Sequence, residues 1–330
     1  MPPWRSVGSA DEAQVAEADL AKELRMRHVD RRSFLKYCIT SATVLGLDGS
    51  VVAKLEAALA KDGAGLPTVI WLACSNCTGC TVSLANLIGD GTPGDVGGLL
   101  LNTIGLEYHP NLMGAAGDLA VSALNSAASG DYVLAVEGGI PTAFGGNTCM
   151  LWTDASGHDV TAMEAVSWLA PNALAVLSIG SCASFGGIPK GNPNPTGIVS
   201  VADFTGLPVI NIPGCPTHPD WIVGTIAQFL AGASIELDSQ RRPRQFFSQK
   251  IHERCPYKER EEAHTFGRLG ECLKELGCKG PDTRSDCYLR KWNGGTSWCV
   301  EAGSICIGCT ESRFPDGFSP FYDGEEEDDD

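Results

Sequence analysis

The sequence predicts an α/β fold, a mostly parallel doubly wound sheet covered by helices, followed by a small, irregular, cysteine-rich domain. Three observations carry that expectation. From Pro67 onward, short β-branched apolar runs alternate with segments long enough to be helices. Beyond about Ser239 long apolar runs vanish, turns multiply, and Cys, Gly, Trp and Arg take over. Seven of the 14 cysteines fall between Cys255 and Cys309.

Strands are expected at Thr68–Ala73, Tyr132–Glu137, Leu174–Ile179 and Val209–Ile212, each a short apolar run bounded by turn residues. Helices are expected at Thr81–Ile88, Asp118–Ala128, Thr161–Leu169 and Trp221–Leu230. Strands spaced by such helices favour right-handed crossovers and therefore parallel pairing. Gly186–Gly197, rich in Gly, Pro and Asn, reads as a long loop directly after a strand end. The segment beyond Ser239 has few strong core elements and needs staples, whether metal clusters or disulfides. These transitions divide the chain at 1–62, 63–238, 239–323 and 324–330. In the last of these, Glu325–Asp330 is wholly acidic and reads as a disordered tail.

Composition narrows the function. With 330 residues, 43% of them hydrophobic, the chain can build one large or two ordinary cores. Forty acidic against 24 basic side chains leave a net charge of −16, which argues against a binder that tracks nucleic-acid phosphates. No run approaches the roughly 18 apolar residues that a spanning helix needs. Near the start, Asp30-Arg31-Arg32-Ser33-Phe34-Leu35-Lys36 precedes a short apolar run that ends at Asp48. Arg31, Arg32, Phe34 and Lys36 resemble a twin-arginine export signal, with a basic start to an amphipathic helix as the blander reading. Ala58-Leu59-Ala60 offers a cleavage triplet of a kind that Ala-rich helices also produce by chance. Residues 1–62 carry equal numbers of acidic and basic side chains, so the acidic excess lies downstream.

The cysteines are the informative feature. A chain able to build a core does not require a disulfide scaffold, and the close pairs Cys77/Cys80, Cys272/Cys278 and Cys306/Cys309 suit a metal centre better. Strand Thr68–Ala73 runs into Cys77-Thr78-Gly79-Cys80, strand Leu174–Ile179 into Cys182, and strand Val209–Ile212 into Cys215. Carboxyl ends of parallel strands share one edge of the sheet, so these four thiolates can converge on one centre. Gly79, Gly180 and Gly214 sit beside them, where close backbone approach helps. His252 and Cys255, three apart, share a face if that stretch is helical, and Cys272 and Cys278 follow. Cys287, Cys299, Cys306 and Cys309 form another set of four.

The ordered segments WLACSNCTGC, VEGGIP, GSCASFGG, NIPGCP, IHERC, CLKELGCKGP, SDC and CIGC resemble the small subunit of a nickel-iron hydrogenase, over about residues 30–322. The resemblance implies a flavodoxin-like domain, a cluster-bearing second domain and three iron-sulfur clusters, with the nickel-iron centre and the catalysis in a separate large subunit. In the family pattern, a proximal cluster takes Cys77, Cys80, Cys182 and Cys215. A distal cluster takes His252, Cys255, Cys272 and Cys278, and a medial one Cys287, Cys306 and Cys309.

Many members carry proline and a three-cysteine 3Fe-4S medial site where Trp298-Cys299-Val300 stands here. Cys299 adds a fourth thiolate, so all three clusters are expected to be 4Fe-4S, with 3Fe-4S as the medial alternative. Oxygen-tolerant relatives add cysteines at positions that are Gly79 and Gly187 here, so a conventional proximal cubane is expected. Asn76 stands where many relatives have glutamate. Cys74 and Cys149 read as structural thiols, and Glu137-Gly138-Gly139-Ile140-Pro141 as shaping the interface with the large subunit.

The expected function is to relay electrons from hydrogen oxidation to an acceptor such as a cytochrome or a membrane quinone-reducing subunit. Export of the folded heterodimer would place it at the periplasmic face of the cytoplasmic membrane, with a retained signal and peripheral attachment as the alternative. Higher oligomers of the heterodimer are compatible with this. The rival function is a quinone-reductase-type electron-transfer subunit of a respiratory complex, which such a chain resembles in its N-terminal domain alone. A disulfide or zinc protein is the remaining reading.

Overall fold

A computed structural model describes residues 68–87, 95–102, 104–230 and 233–322. The Arg31/Arg32/Phe34/Lys36 signal, Cys38, the Ala58–Ala60 triplet and the acidic tail lie outside the described residues. Nine strands are present among them: β1 Thr68–Ala73, β2 Gly105–Tyr108, β3 Tyr132–Glu137, β4 Ile140–Pro141, β5 Met150–Thr153, β6 Asp159–Thr161, β7 Ala175–Ile179, β8 Ile198–Val199 and β9 Ile210–Ile212.

Five of them form one sheet in the order β2-β1-β3-β7-β9, with every pair parallel. That is the flavodoxin-like order, in which the chain reverses direction across the sheet between β1 and β3. Register is fixed by the alternation of apolar residues. Val69 and Trp71 of β1 enter one core, together with Val133 and Ala135 of β3 and Leu177 and Ile179 of β7. Ile70 and Leu72 enter the other, together with Leu134 and Val136 of β3 and Val176 of β7. A slip of one residue would exchange the two faces of every strand.

The second of these cores is closed by helices Asp118–Ala128 and Ala162–Leu169, through Ala120, Leu124, Ala165, Val166 and Leu169. The first is closed by helices Gly79–Ala85 and Pro219–Leu230, through Leu84, Trp221, Ile222 and Ile226. It continues without a break into the cysteine-rich segment, whose Phe246, Phe247, Ile251, Leu273, Leu276, Trp298, Val300 and Ile305 belong to the same cluster. The segment has few core elements, as expected, yet apolar residues scattered between its turns pack against the same face of the sheet. Arg242, 1% exposed, ties the junction. Its Nε lies 2.8 Å from Asp238 Oδ2, and one terminal nitrogen lies 2.9 Å from both Glu311 Oε1 and the Thr310 carbonyl.

Among the described residues beyond Ser239, regular structure is limited to single turns of helix, at Arg244–Phe247, Ile251–Arg254 and Cys287–Arg290, and a 3-10 turn at Asp316–Phe318. The expected loop Gly186–Gly197 contains a turn of helix at Gly187–Lys190, entered through left-handed glycines.

Candidate metal centres

All thirteen cysteines among the described residues are free. No three His, Cys, Asp or Glu side chains among those residues converge closely enough to hold a single ion. Eleven of the thiols are instead gathered, with His252, in three sets.

The first set lies at the carboxyl edge of the sheet. β1 leads to Cys77 and Cys80, β7 to Cys182 and β9 to Cys215, and the charges of the four thiols act on one another. Two glycines make room for them. A Cβ on Gly180, at φ +82°, would lie 2.5 Å from Cys80 Sγ. On Gly187, at φ +53°, it would lie 2.8 Å from the Cys182 nitrogen and 3.0 Å from its sulfur. Asn76 Nδ2, next to Cys77, is buried with no hydrogen-bond partner, a donor suited to a sulfide. Four thiols from three strand ends make a donor set whose chemistry suits a multi-iron core.

Glu137, at the end of β3, holds this loop from beneath. It is 2% exposed. Its Oε1 accepts the amides of Cys80 (3.0 Å) and Thr81 (3.2 Å), and its Oε2 accepts Trp71 Nε1–H (3.1 Å) and the Thr81 hydroxyl. His109 stacks on Trp71 at 5.1 Å between ring centroids. Its Nδ1 accepts the Asn111 amide at 3.1 Å, which leaves Nε2–H facing Thr81 Oγ1 at 3.4 Å. No spacing rule in the sequence announces this network, because its members come from four separate segments.

The second set surrounds a cavity of about 330 Å³ lined by Cys287, Cys299, Cys306 and Cys309, with Cys215 at its wall. The third set, His252, Cys255, Cys272 and Cys278, lines a single smaller cavity with Gly280 and Val300. His252 lies on the helical turn Ile251–Arg254, with Cys255 directly after it. Each set expected from the sequence is therefore brought together. Cys74 and Cys149 stand apart, packed in the apolar core on the other face of the sheet.

The sets are joined by hydrogen bonds. Gly214 N–H donates to Ser181 Oγ at 2.9 Å, and that hydroxyl donates to the Cys309 carbonyl. The Cys306 amide donates to Cys278 Sγ at 3.4 Å. Burial dominates the chemistry of the thiols. It pushes Cys80, Cys287 and Cys309 well above the usual thiol value, and Cys182 and Cys306 up to about 12. Such thiols stay protonated and inert unless a cationic core displaces the proton. Burial, then the Lys258 and Lys274 cations, lowers the pKa of His252 and favours the neutral, ligating imidazole.

The family of the C-terminal part of NiFe/NiFeSe hydrogenase small subunits matches residues 247–322, and the NADH ubiquinone oxidoreductase 20 kDa family matches residues 77–229. The periplasmic NiFeSe hydrogenase small subunit of Desulfomicrobium baculatum is 41% identical over 320 residues, covering 90% of this chain and 99% of that relative. The chain belongs to the nickel-iron hydrogenase small subunits. The periplasmic NiFe hydrogenase small subunit 1 of Nitratidesulfovibrio vulgaris is 40% identical, covering 96% of this chain and 99% of its own length. Among solved structures, a NiFeSe hydrogenase chain of Desulfomicrobium baculatum superposes with a TM-score of 0.73 at 43% identity, covering 79% of this chain and 100% of that one. The match to the NADH ubiquinone oxidoreductase family accounts for the sheet domain alone. The hydrogenase relatives account for both parts.

Proposed function

We propose that this hydrogenase small subunit passes electrons from a nickel-iron large subunit through three iron-sulfur clusters to an external acceptor. When bound, the clusters supply one-electron sites spaced along the chain. Cys77, Cys80, Cys182 and Cys215 would hold the proximal one, Cys287, Cys299, Cys306 and Cys309 the medial one, and His252, Cys255, Cys272 and Cys278 the distal one. The observation that carries this reading is the succession of three thiol sets, the first linked to the second through Gly214 N–H, the Ser181 hydroxyl and the Cys309 carbonyl, and the second to the third through the Cys306 amide and Cys278 Sγ.

The chain's residues divide the work. Glu137, the glycines and Ser181 fix the proximal loops against the sheet edge. Cys299 lines the medial cavity with the other three thiols, which supports a complete 4Fe-4S site there. A neutral imidazole at His252 makes the exit site less negative than four thiolates would, raising its potential for handover at the surface. We assign residues 63–238 to the proximal domain and 239–323 to the medial and distal one.

Arg31 and Arg32 would direct twin-arginine export of the assembled heterodimer, a route that spares preformed clusters from an oxidising space. Two of the cited relatives are named as periplasmic. No helix of the described residues is long and apolar enough to cross a membrane. An acceptor such as a cytochrome or a membrane quinone-reducing subunit fits this reading. The test is His252→Ala in the heterodimer. Hydrogen-driven reduction of an external acceptor should fall at least tenfold, while hydrogen–deuterium exchange at the large subunit persists. Unchanged acceptor reduction would contradict the relay.

A further inference from the structure

The medial thiols differ in what hydrogen-bonds to them. Ser285 Oγ lies 2.8 Å from Cys287 Sγ, and the serine is 1% exposed. Its hydroxyl has no other hydrogen-bond partner among the described residues. An iron-bound thiolate carries no proton, so in the loaded protein the serine must be the donor. Thr283 also approaches this set, with Oγ1 3.6 Å from Cys306 Sγ. Its single proton, however, is directed at the Lys279 carbonyl. Ser285 is thus the side-chain hydroxyl whose proton is committed to a medial sulfur.

We infer that Ser285 is a positioning residue that raises the reduction potential of the medial cluster through the Cys287 thiolate. This rests on the reading that the medial thiols hold an iron-sulfur cluster. Reduction adds one electron, and part of the added negative charge falls on the coordinating sulfurs. A donor fixed on one of them stabilises the reduced form more than the oxidised form. The site is buried, so water cannot supply the same hydrogen bond once the hydroxyl is removed. The effect opposes that of Cys299, whose fourth thiolate completes a cubane and lowers the potential. Together they would hold the medial site level with its neighbours, so that it neither traps electrons nor blocks them.

The test is a redox titration of the purified heterodimer followed by electron paramagnetic resonance, in wild type, Ser285→Ala and Ser285→Thr. Ser285→Ala should lower the medial midpoint, changing the reduced-to-oxidised ratio at fixed potential about tenfold, or about 59 mV for one electron. The proximal and distal midpoints should stay in place, and threonine should restore the medial value. A medial cluster that is present but whose midpoint does not move, or a threonine variant that behaves like alanine, overturns the inference. Pulsed proton spectroscopy of the wild type is independent of any variant's folding: a strongly coupled hydroxyl proton at the reduced medial cluster is expected, and its absence also overturns the inference. Failure of the underlying reading looks different, since the wild type would then show only two clusters.

Discussion

Glu137 is a buried carboxylate whose four hydrogen bonds all come from donors in β1 and the cysteine loop, namely Trp71, Cys80 and Thr81. Glu137→Gln would turn an NH2 group toward some of those donors, at a cost of about 2 kcal/mol. Chemical denaturation of the heterodimer should show that loss, and unchanged stability would mean the carboxylate does not hold the loop. Beneath it, His109 is fully buried, and burial lowers its pKa to about 4. The unfolded chain takes up this proton near pH 6.5. The stabilising contribution is therefore complete above about 6.5 and is lost as pH falls toward about 4. Melting temperature measured against pH should decline over that window in wild type, and less steeply in His109→Gln. The grouping of Cys77, Cys80, Cys182 and Cys215 was legible in the sequence because three strands end on them, while the other two sets were legible from the spacing of cysteines and the resemblance of their segments. Glu137, Ser181 and Ser285 were not legible in these roles. Their partners are fixed by tertiary packing, and a serine beside a cysteine has no sequence pattern of its own.

Among the elements, helix Ala162–Leu169 is the one whose start is written most plainly. Thr161 and Glu164 form a reciprocal capping box, with Thr161 Oγ1 accepting the Glu164 amide at 3.2 Å and Glu164 Oε2 accepting the Thr161 amide at 2.8 Å. Thr161→Ala should cost about 1 kcal/mol, read as a lower denaturation midpoint with cluster content unchanged. Strands β1 and β3 and helix Asp118–Ala128 match their sequence-based bounds, because apolar runs and segments bounded by turn residues set them. Strand β2 and the β5–β6 hairpin were not legible. β2, Gly105–Tyr108, is a four-residue edge strand with one buried residue, too short for a period to show. β5, Met150–Thr153, has no buried residue at all. In the cysteine-rich segment turns outnumber periodic elements, so its apolar residues gave no signal that they share one core with Trp221 and Ile226.

At the scale of the molecule, that shared core makes the two parts mutually dependent. Residues 63–238 expressed alone should fail to fold into a soluble unit, since Trp221 would lose Phe247 and Trp292, whose rings stand 4.9 and 6.0 Å from it. Changing Arg31 and Arg32 to lysine should leave hydrogenase activity in the cytoplasm, and unaltered export would contradict the twin-arginine assignment. The central claim is a relay of three complete clusters, and iron analysis combined with electron paramagnetic resonance of the oxidised heterodimer tests it most directly. About twelve irons in the small subunit, four for each of three sites, with no 3Fe-4S signal is the predicted result. A strong 3Fe-4S signal from the medial site would contradict the role of Cys299, and iron for fewer than three clusters would contradict the relay itself.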